Sequence, residues 1–545
     1  MGSAGSEFDH VVVGAGSAGC AIARRLVDAG RSVALVEAGG RDDNPAIHDP
    51  GRAWELWNSE VDYAYTTEPQ VHAAGTRVFW SRGKVVGGSS SLNGMIYVRG
   101  HHADYDNWAY NGAAGWSHDE VLPYFRRSED FEDGASQYHG AGGPLPVTRN
   151  HDPNPVSVAF VEACTEYGLP YNGDCNGSEM LGAGLAHRNI RGGKRATAWT
   201  AFVLPVLGNP LLTVLTCALV SRVLFDGSGR VVGVEMSRDG VISQLHAGGD
   251  VILSGGVIGS AQLMMLSGIG AAADLRALDI PVRTDLPGVG ANLHDHILTT
   301  VVWASRRLVP GGRANKLEAQ LFAASDPAMA APDLQPLMSY VPLPVAGYDV
   351  PAEGSGYSVL AGVIRPLSRG RLQLRSADPA QAPVLDPCYL AEPADLSALV
   401  AAVQMTREIG SQPALAGWRG REVAPGPGVR TREEIAAYIR RALLSYHHQV
   451  GICRMGIDRL AVVDPSLRVP GVSDRPWRVA RGTVMVTSAA RLLPPARPGA
   501  EAAPGPGLGL GWDHRDHRDH RGRRRPQSCP ARAGAGLLGS AGGGI

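Results

Sequence analysis

Lysine is nearly missing from this chain: Lys84, Lys194 and Lys316 are the only three among 51 basic residues. Arginine supplies the rest, a bias that points to strongly GC-rich coding DNA. Cysteine is sparse, seven in 545 residues at scattered positions. No paired framework emerges among them, which speaks for a reducing cytoplasm. Neither charge sign is in excess: the formal net charge is −1 with both signs interspersed, so nothing argues for nucleic acid as a partner. No apolar run reaches the ~20 residues of a membrane span, and the first eight residues lack a charged and apolar leader. A cytoplasmic location, without export or membrane insertion, is therefore expected. No internal repeat is present, and the length suffices for a large core in about two or more domains.

What is present begins at residue 10. His10-Val11-Val12-Val13 reads as a short buried strand running into Gly14-Ala15-Gly16-Ser17-Ala18-Gly19. A helical pattern follows from Cys20 and stops at Gly30, and a second apolar strand, Ser32 to Val36, ends in Glu37. This strand–glycine loop–helix–strand–acid order is the dinucleotide fingerprint. Gly14 permits the tight turn, Gly16 lets the backbone approach a pyrophosphate, and Gly19 lets helix and strand pack closely. The helix N-terminus at Ser17 and Ala18 offers N–H donors to the phosphates. Glu37, about 20 residues beyond the loop, can accept hydrogen bonds from ribose hydroxyls. Context alone does not separate FAD from NAD.

The second informative stretch is Gly83-Lys84-Val85-Val86-Gly87-Gly88-Ser89-Ser90-Ser91-Leu92-Asn93-Gly94-Met95-Ile96-Tyr97. Its run of small residues suits a flat cofactor lying against main-chain N–H groups, or alternatively an ordinary flexible loop. Together the two stretches resemble the glucose–methanol–choline (GMC) family of FAD-dependent alcohol oxidoreductases. Gly87-Gly88, Ser89-Ser90, Asn93, Tyr97, Gly100 and Asp106 fall in register with the family's first signature. Gly256 to Gly270 is similar to its second, departing at Val257 and Ala261. Further resemblances run through Asp285–Gly290, Asn292–His296, Arg365–Gly370 and His448–Gly456.

The resemblance implies an α/β fold: a Rossmann-like FAD-binding domain and a second, antiparallel-sheet substrate domain backed by helices. The cofactor domain would be discontinuous, from residues 1–150, 195–300 and 445–490, with 151–194 and 301–444 forming the substrate domain. Alternating runs such as Gly370 to Arg375 read as strands with one wet face, Asp395–Ile409 reads as a helix, and Pro379 and Pro383 mark a loop. By resemblance, Gly16, Ser17, Glu37, Val86, Gly88, Ser89, Asn93, Gly94, Met95 and Val98 would touch FAD, and the Val220 backbone would hold the adenine. Some relatives attach FAD through a histidine before the signature asparagine. That position is Leu92 here, so FAD is expected to be bound non-covalently.

Oxidising an alcohol requires an acceptor for the hydroxyl proton beside the flavin, and a neutral imidazole suits that task. The resemblance assigns it to His448, with the adjacent His447 as competitor and Ile452 in place of the usual threonine. The family's second polar residue, Asn or His some 40 residues later, finds no counterpart: no Asn follows Asn315, no His lies between His448 and His514, and Arg481 stands where an aspartate is usual. His101 and His102 read as solvent-facing loop residues. His294-Asp295-His296 reads as structural rather than as a metal site, since metal ligands must converge from elsewhere. No metal is expected.

From about Arg491 the composition turns to Pro, Gly, Ala and Arg, with a repeated triplet over Asp513–Arg521. That tail at 491–545 is either disordered, the product of a shifted reading frame in a GC-rich gene, or a metal-binding tract. The expectation is an FAD-dependent alcohol oxidoreductase making an aldehyde from a primary alcohol. The substrate could be choline-like, a small aliphatic or aromatic alcohol, or a hydroxymethyl group of a sugar or amino-sugar antibiotic precursor. The electron acceptor, oxygen or another, and the oligomeric state are not legible. The alternatives are a cyanohydrin-cleaving lyase of the same family and a flavoprotein impaired by its aberrant C-terminus.

Overall fold

Two sheets of opposite character organise the chain in the computed structural model, which describes residues 6–312 and 315–470 together with the backbone of Arg478–Val479. The first has five parallel strands in the order Leu212–Leu215, Val33–Val36, His10–Val13, Val251–Leu253 and Arg478–Val479. Its central strands are unbroken apolar runs, and every residue of Val33–Val36 and Val251–Leu253 is buried, as a parallel sheet covered on both faces demands. The first strand in sequence is the middle one in space. The chain adds two strands on one side and then crosses to the other, which puts the topological switch point beside His10–Val13. The helices Ser17–Asp28 and Gly256–Leu266 follow the two strands that flank that point. An antiparallel meander, Ala218–Phe225, Val231–Arg238 and Val241–Ala247, fills the crossover, and Ser6–Phe8 joins its edge.

The second sheet has seven antiparallel strands. Its main path is Arg419–Ala424, Ile297–Ser305, Gly356–Val363, Leu337–Ser339, Leu317–Phe322 and Gly182–Leu185, and Leu444–Ser445 pairs with Ile297–Ser305. The helices Pro155–Glu166 and Pro393–Gly410 pack on it, with Arg432–Arg441 against the latter. The α/β class with one parallel and one antiparallel sheet is as expected. The wet face expected of Gly370 to Arg375 is present, but the central strands of the antiparallel sheet have none. Gly356–Val363 and Leu317–Phe322 are buried along their whole length, with the helices Pro393–Gly410 and Pro155–Glu166 packed on them. Gly370–Gln373 belongs to neither large sheet; it pairs with Ala291–Leu293 and Val384–Asp386, burying only Leu372.

His101 departs from its expected exposure as well. It is buried, and its Nδ1 accepts the Ala103 N–H at 3.2 Å, capping the helix His102–Tyr110. Asp104 completes the capping box by accepting the His101 N–H at 2.9 Å. Among the described residues no helix is long and apolar enough to cross a membrane. The tail at 491–545 and Arg481 lie outside the described residues.

Candidate active site

The two glycine-rich stretches meet at the carboxyl ends of the parallel strands. Gly87 donates its N–H to the Ala15 carbonyl at 2.8 Å, and Val86 donates to Gly40 at 3.1 Å. Gly14 has φ +101°, and a Cβ there would lie 2.5 Å from the Ser254 carbonyl oxygen. Gly88 has φ +53°, and its missing Cβ would sit 2.7 Å from the Gly16 Cα. Both positions therefore combine a left-handed backbone with contact too close for any side chain.

Three observations of this cradle fit a dinucleotide such as FAD. The helix Ser17–Asp28 begins at Gly16 with no side-chain cap and no acid in its first turn, which leaves N–H donors for phosphate. Glu37 ends its strand buried, its two oxygens accepting the Ala15 and Gly39 N–H groups at 2.9 Å each; burial pushes its carboxyl up to about 7. Arg195 is also buried. It donates from Nη1 to the Asn93 carbonyl and Oδ1 at 2.6 and 2.8 Å, while Nη2 has no partner, and desolvation lowers its pKa to about 10. Arg195 escaped the sequence reading because it lies 102 residues from Asn93.

The remaining expected cofactor residues fall into two groups. Val86 and Met95 are buried, Ser89, Gly94 and Val98 half-buried, and Asn93 exposed, along one continuous segment; Met95 takes φ +59°. Val220 lies apart, in the meander strand opposite Met236. Leu92 is buried.

The histidine loop docks on the head of the same segment. His447 has φ +62° and its Nδ1 accepts the Ser81 N–H at 3.1 Å, with its ring edge-on to Trp57 at 4.8 Å. Its carbonyl accepts from Arg82 Nη2. Burial, followed by the Arg82 charge, pushes this imidazole down to about 3. His447 is thus fixed in packing. The His448 ring instead stays accessible although protein surrounds it, and Tyr446 stacks on it at 5.8 Å and 13°. Its Nδ1 lies 3.0 Å from the Nδ1 of His296. Burial first, then the neighbouring His296, Arg82 and His447, hold His448 well below the ordinary histidine range; burial and Arg365 push His296 down to about 4. Both rings are neutral near pH 7, so a single proton is shared between the facing nitrogens.

Asp295 is the residue that holds this loop. Oδ1 accepts the His448 N–H at 2.8 Å, and Oδ2 accepts from Tyr389 Oη at 2.5 Å, Gln449 Nε2 at 2.9 Å and Ser445 Oγ. Trp80 Nε1 donates to Tyr389 Oη at 2.9 Å, and the His447 N–H donates to Ser445 Oγ at 2.7 Å. Both hydroxyls must therefore spend their protons on Asp295, which identifies it as an ionised acceptor of four bonds. The run His294-Asp295-His296 is structural in this concrete sense: its acid clamps the loop and His296 meets the His448 ring.

Comparisons with known proteins identify the family. Family models described as GMC oxidoreductase match residues 8–298 and 366–488. The chain is 41% identical over 524 residues to the mitochondrial choline dehydrogenase of Homo sapiens, covering 89% of this chain and 87% of that one. It is 40% identical over 496 residues to the oxygen-dependent choline dehydrogenase of Rhizobium johnstonii, covering 86% and 89%. Among solved structures it superposes on pyridoxine 4-oxidase from Mesorbium loti with a TM-score of 0.84 and 34% identity, over 89% of this chain and 97% of that chain.

Proposed function

Because the chain belongs to the GMC oxidoreductase family, whose cofactor is FAD, we propose that it oxidises a primary alcohol to an aldehyde with His448 as the proton acceptor. The observation that carries this reading is the accessible, neutral His448 ring, set in a loop that Asp295 and the Ser81 N–H hold in place. Bound FAD supplies the acceptor for the hydride that leaves the alcohol carbon.

The protein's share is the proton. With a proton on His448 Nδ1 donated to His296 Nδ1, the His448 Nε2 is left bare and able to take the hydroxyl proton. His296 then acts as a positioning residue that fixes the tautomer, and Asp295 fixes the backbone from which the ring projects. The buried Arg82 guanidinium contributes a positive field that favours the alkoxide. Leu92, an aliphatic side chain at the position where some relatives anchor the flavin, supports non-covalent binding of FAD.

The test is anaerobic mixing of the yellow protein with primary alcohols, for the parent chain and His448→Gln. Bleaching of the flavin by an alcohol in the parent, slowed in His448→Gln by about 10²–10⁴-fold, is the expected result. An unaltered bleaching rate in the variant would remove His448 from the reaction. Acid precipitation should release all the flavin into the supernatant; colour retained in the pellet would mean a covalent link.

A further inference from the structure

Between Val85 and Val98, Asn93 alone is exposed, yet its side chain is held. Oδ1 accepts the Met95 N–H at 3.1 Å and Arg195 Nη1 at 2.8 Å. Both partners are donors, so the atom between them can only be the oxygen, and the NH2 is the end left over. Among the described residues nothing bonds to that NH2. Arg195 is placed for this hold rather than for an ion pair. Its Nε donates to the Ile47 carbonyl at 2.8 Å and its Nη1 also to the Asn93 carbonyl at 2.6 Å, and among the described residues no carboxylate pairs with it. A buried guanidinium without a counter-charge is costly, and a cap for backbone carbonyls alone leaves its grip on Oδ1 unexplained. The backbone around Arg195 is pinned as well. Its N–H donates to the His48 carbonyl at 3.1 Å, it pairs with Ile190 across a hairpin, and the neighbouring Asn189 N–H donates to the Met95 carbonyl at 2.8 Å.

The segment has two ends. Gly88 lies against Gly16 of the phosphate loop. Past Asn93, the Gly94 carbonyl accepts from Asn315 Nδ2, and a Cβ on Gly94 would lie 3.4 Å from Leu317 Cδ1. Leu317 clusters with Leu298, Leu337 and Leu360, and Tyr446, the ring stacked on His448, packs against that cluster. Asn93 therefore stands towards the base, at the reacting end of the cofactor. We propose that Arg195 is a positioning residue that locks the Asn93 amide with its NH2 turned out as a hydrogen-bond donor to the reacting ring of FAD. The proposal rests on FAD binding and not on the oxidation of an alcohol. A hydride received by the ring brings negative charge, which a fixed donor stabilises more than it does the uncharged ring. An amide released from Arg195 rotates and loses that preference.

The test reads the midpoint potential of the flavin by dye equilibration, in FAD-saturated protein and without any alcohol. Asn93→Ala should shift the balance towards oxidised flavin by at least about tenfold, about 30 mV for a two-electron couple. Arg195→Met, similar in length but uncharged, should do the same while Asn93 is present and add less than about twofold in the Asn93→Ala background. Arg195→Lys keeps the charge without the planar fork and should show the same dependence on Asn93; it replaces Arg195→Met in both backgrounds should the latter not fold. An unmoved potential in Asn93→Ala, or an Arg195 effect equally large with and without the amide, would overturn the proposal. The expected pattern in a protein that oxidises no alcohol would leave it standing and remove the alcohol reading.

Discussion

An imidazole can accept a proton only while it is unprotonated, so the acid limb of the activity profile reports on His448. Its pKa is lowered by burial and by basic neighbours, and a lowered value means the neutral form persists below the ordinary 6.5. The kcat/KM profile should therefore lose activity on the acid side with a midpoint below 6.5; a midpoint above it would contradict the buried setting. Asp295 makes a different prediction. Asp295→Asn keeps the shape but presents an amide to donors that need an acceptor, which should cost about 1–3 kcal/mol per orphaned group. The expected outcome is a lower unfolding midpoint and a fall in kcat with FAD content unchanged. Glu37 links to pH in the opposite sense from His448. Its folded pKa, about 7, is above the ordinary 4.5, so the folded state holds this proton more tightly. The resulting stabilisation is complete below about pH 4.5 and lost as pH rises towards 7, about 3 kcal/mol in all. Urea unfolding of the FAD-free protein should show that slope, and Glu37→Gln should flatten it.

The glycine loops are where local sequence and local structure coincide. Gly14, Gly16 and Gly19 act within a handful of residues of one another, so the requirements of turn, approach and packing are written side by side and could be read directly. Gly88→Ala tests the same element: with φ +53° and the Gly16 Cα at 2.7 Å, the variant should purify colourless while keeping a cooperative melt, since the strain falls on the cradle. Full flavin absorbance would refute the close approach. The Asp295 clamp was only partly legible. A structural role could be argued from the absence of converging ligands, but its partners Tyr389, Ser445 and His448 stand 94, 150 and 153 residues away. No periodicity encodes a meeting of that kind. The buried capping role of His101 was missed for a plainer reason, since histidine is an unusual N-cap and gives no Ser/Thr/Asp/Asn signal.

Across the whole molecule, the glycine cradle sits at the carboxyl ends of the parallel sheet, while the strand Ile297–Ser305, next to His296, belongs to the antiparallel one. The order of the parallel strands has a consequence for the birth of the protein. Two of them emerge within the first 36 residues, yet the neighbour of Val251–Leu253 is Arg478–Val479. On the ribosome the edge of Val251–Leu253 stays open through more than 200 further codons, until Arg478–Val479 is translated to cover it.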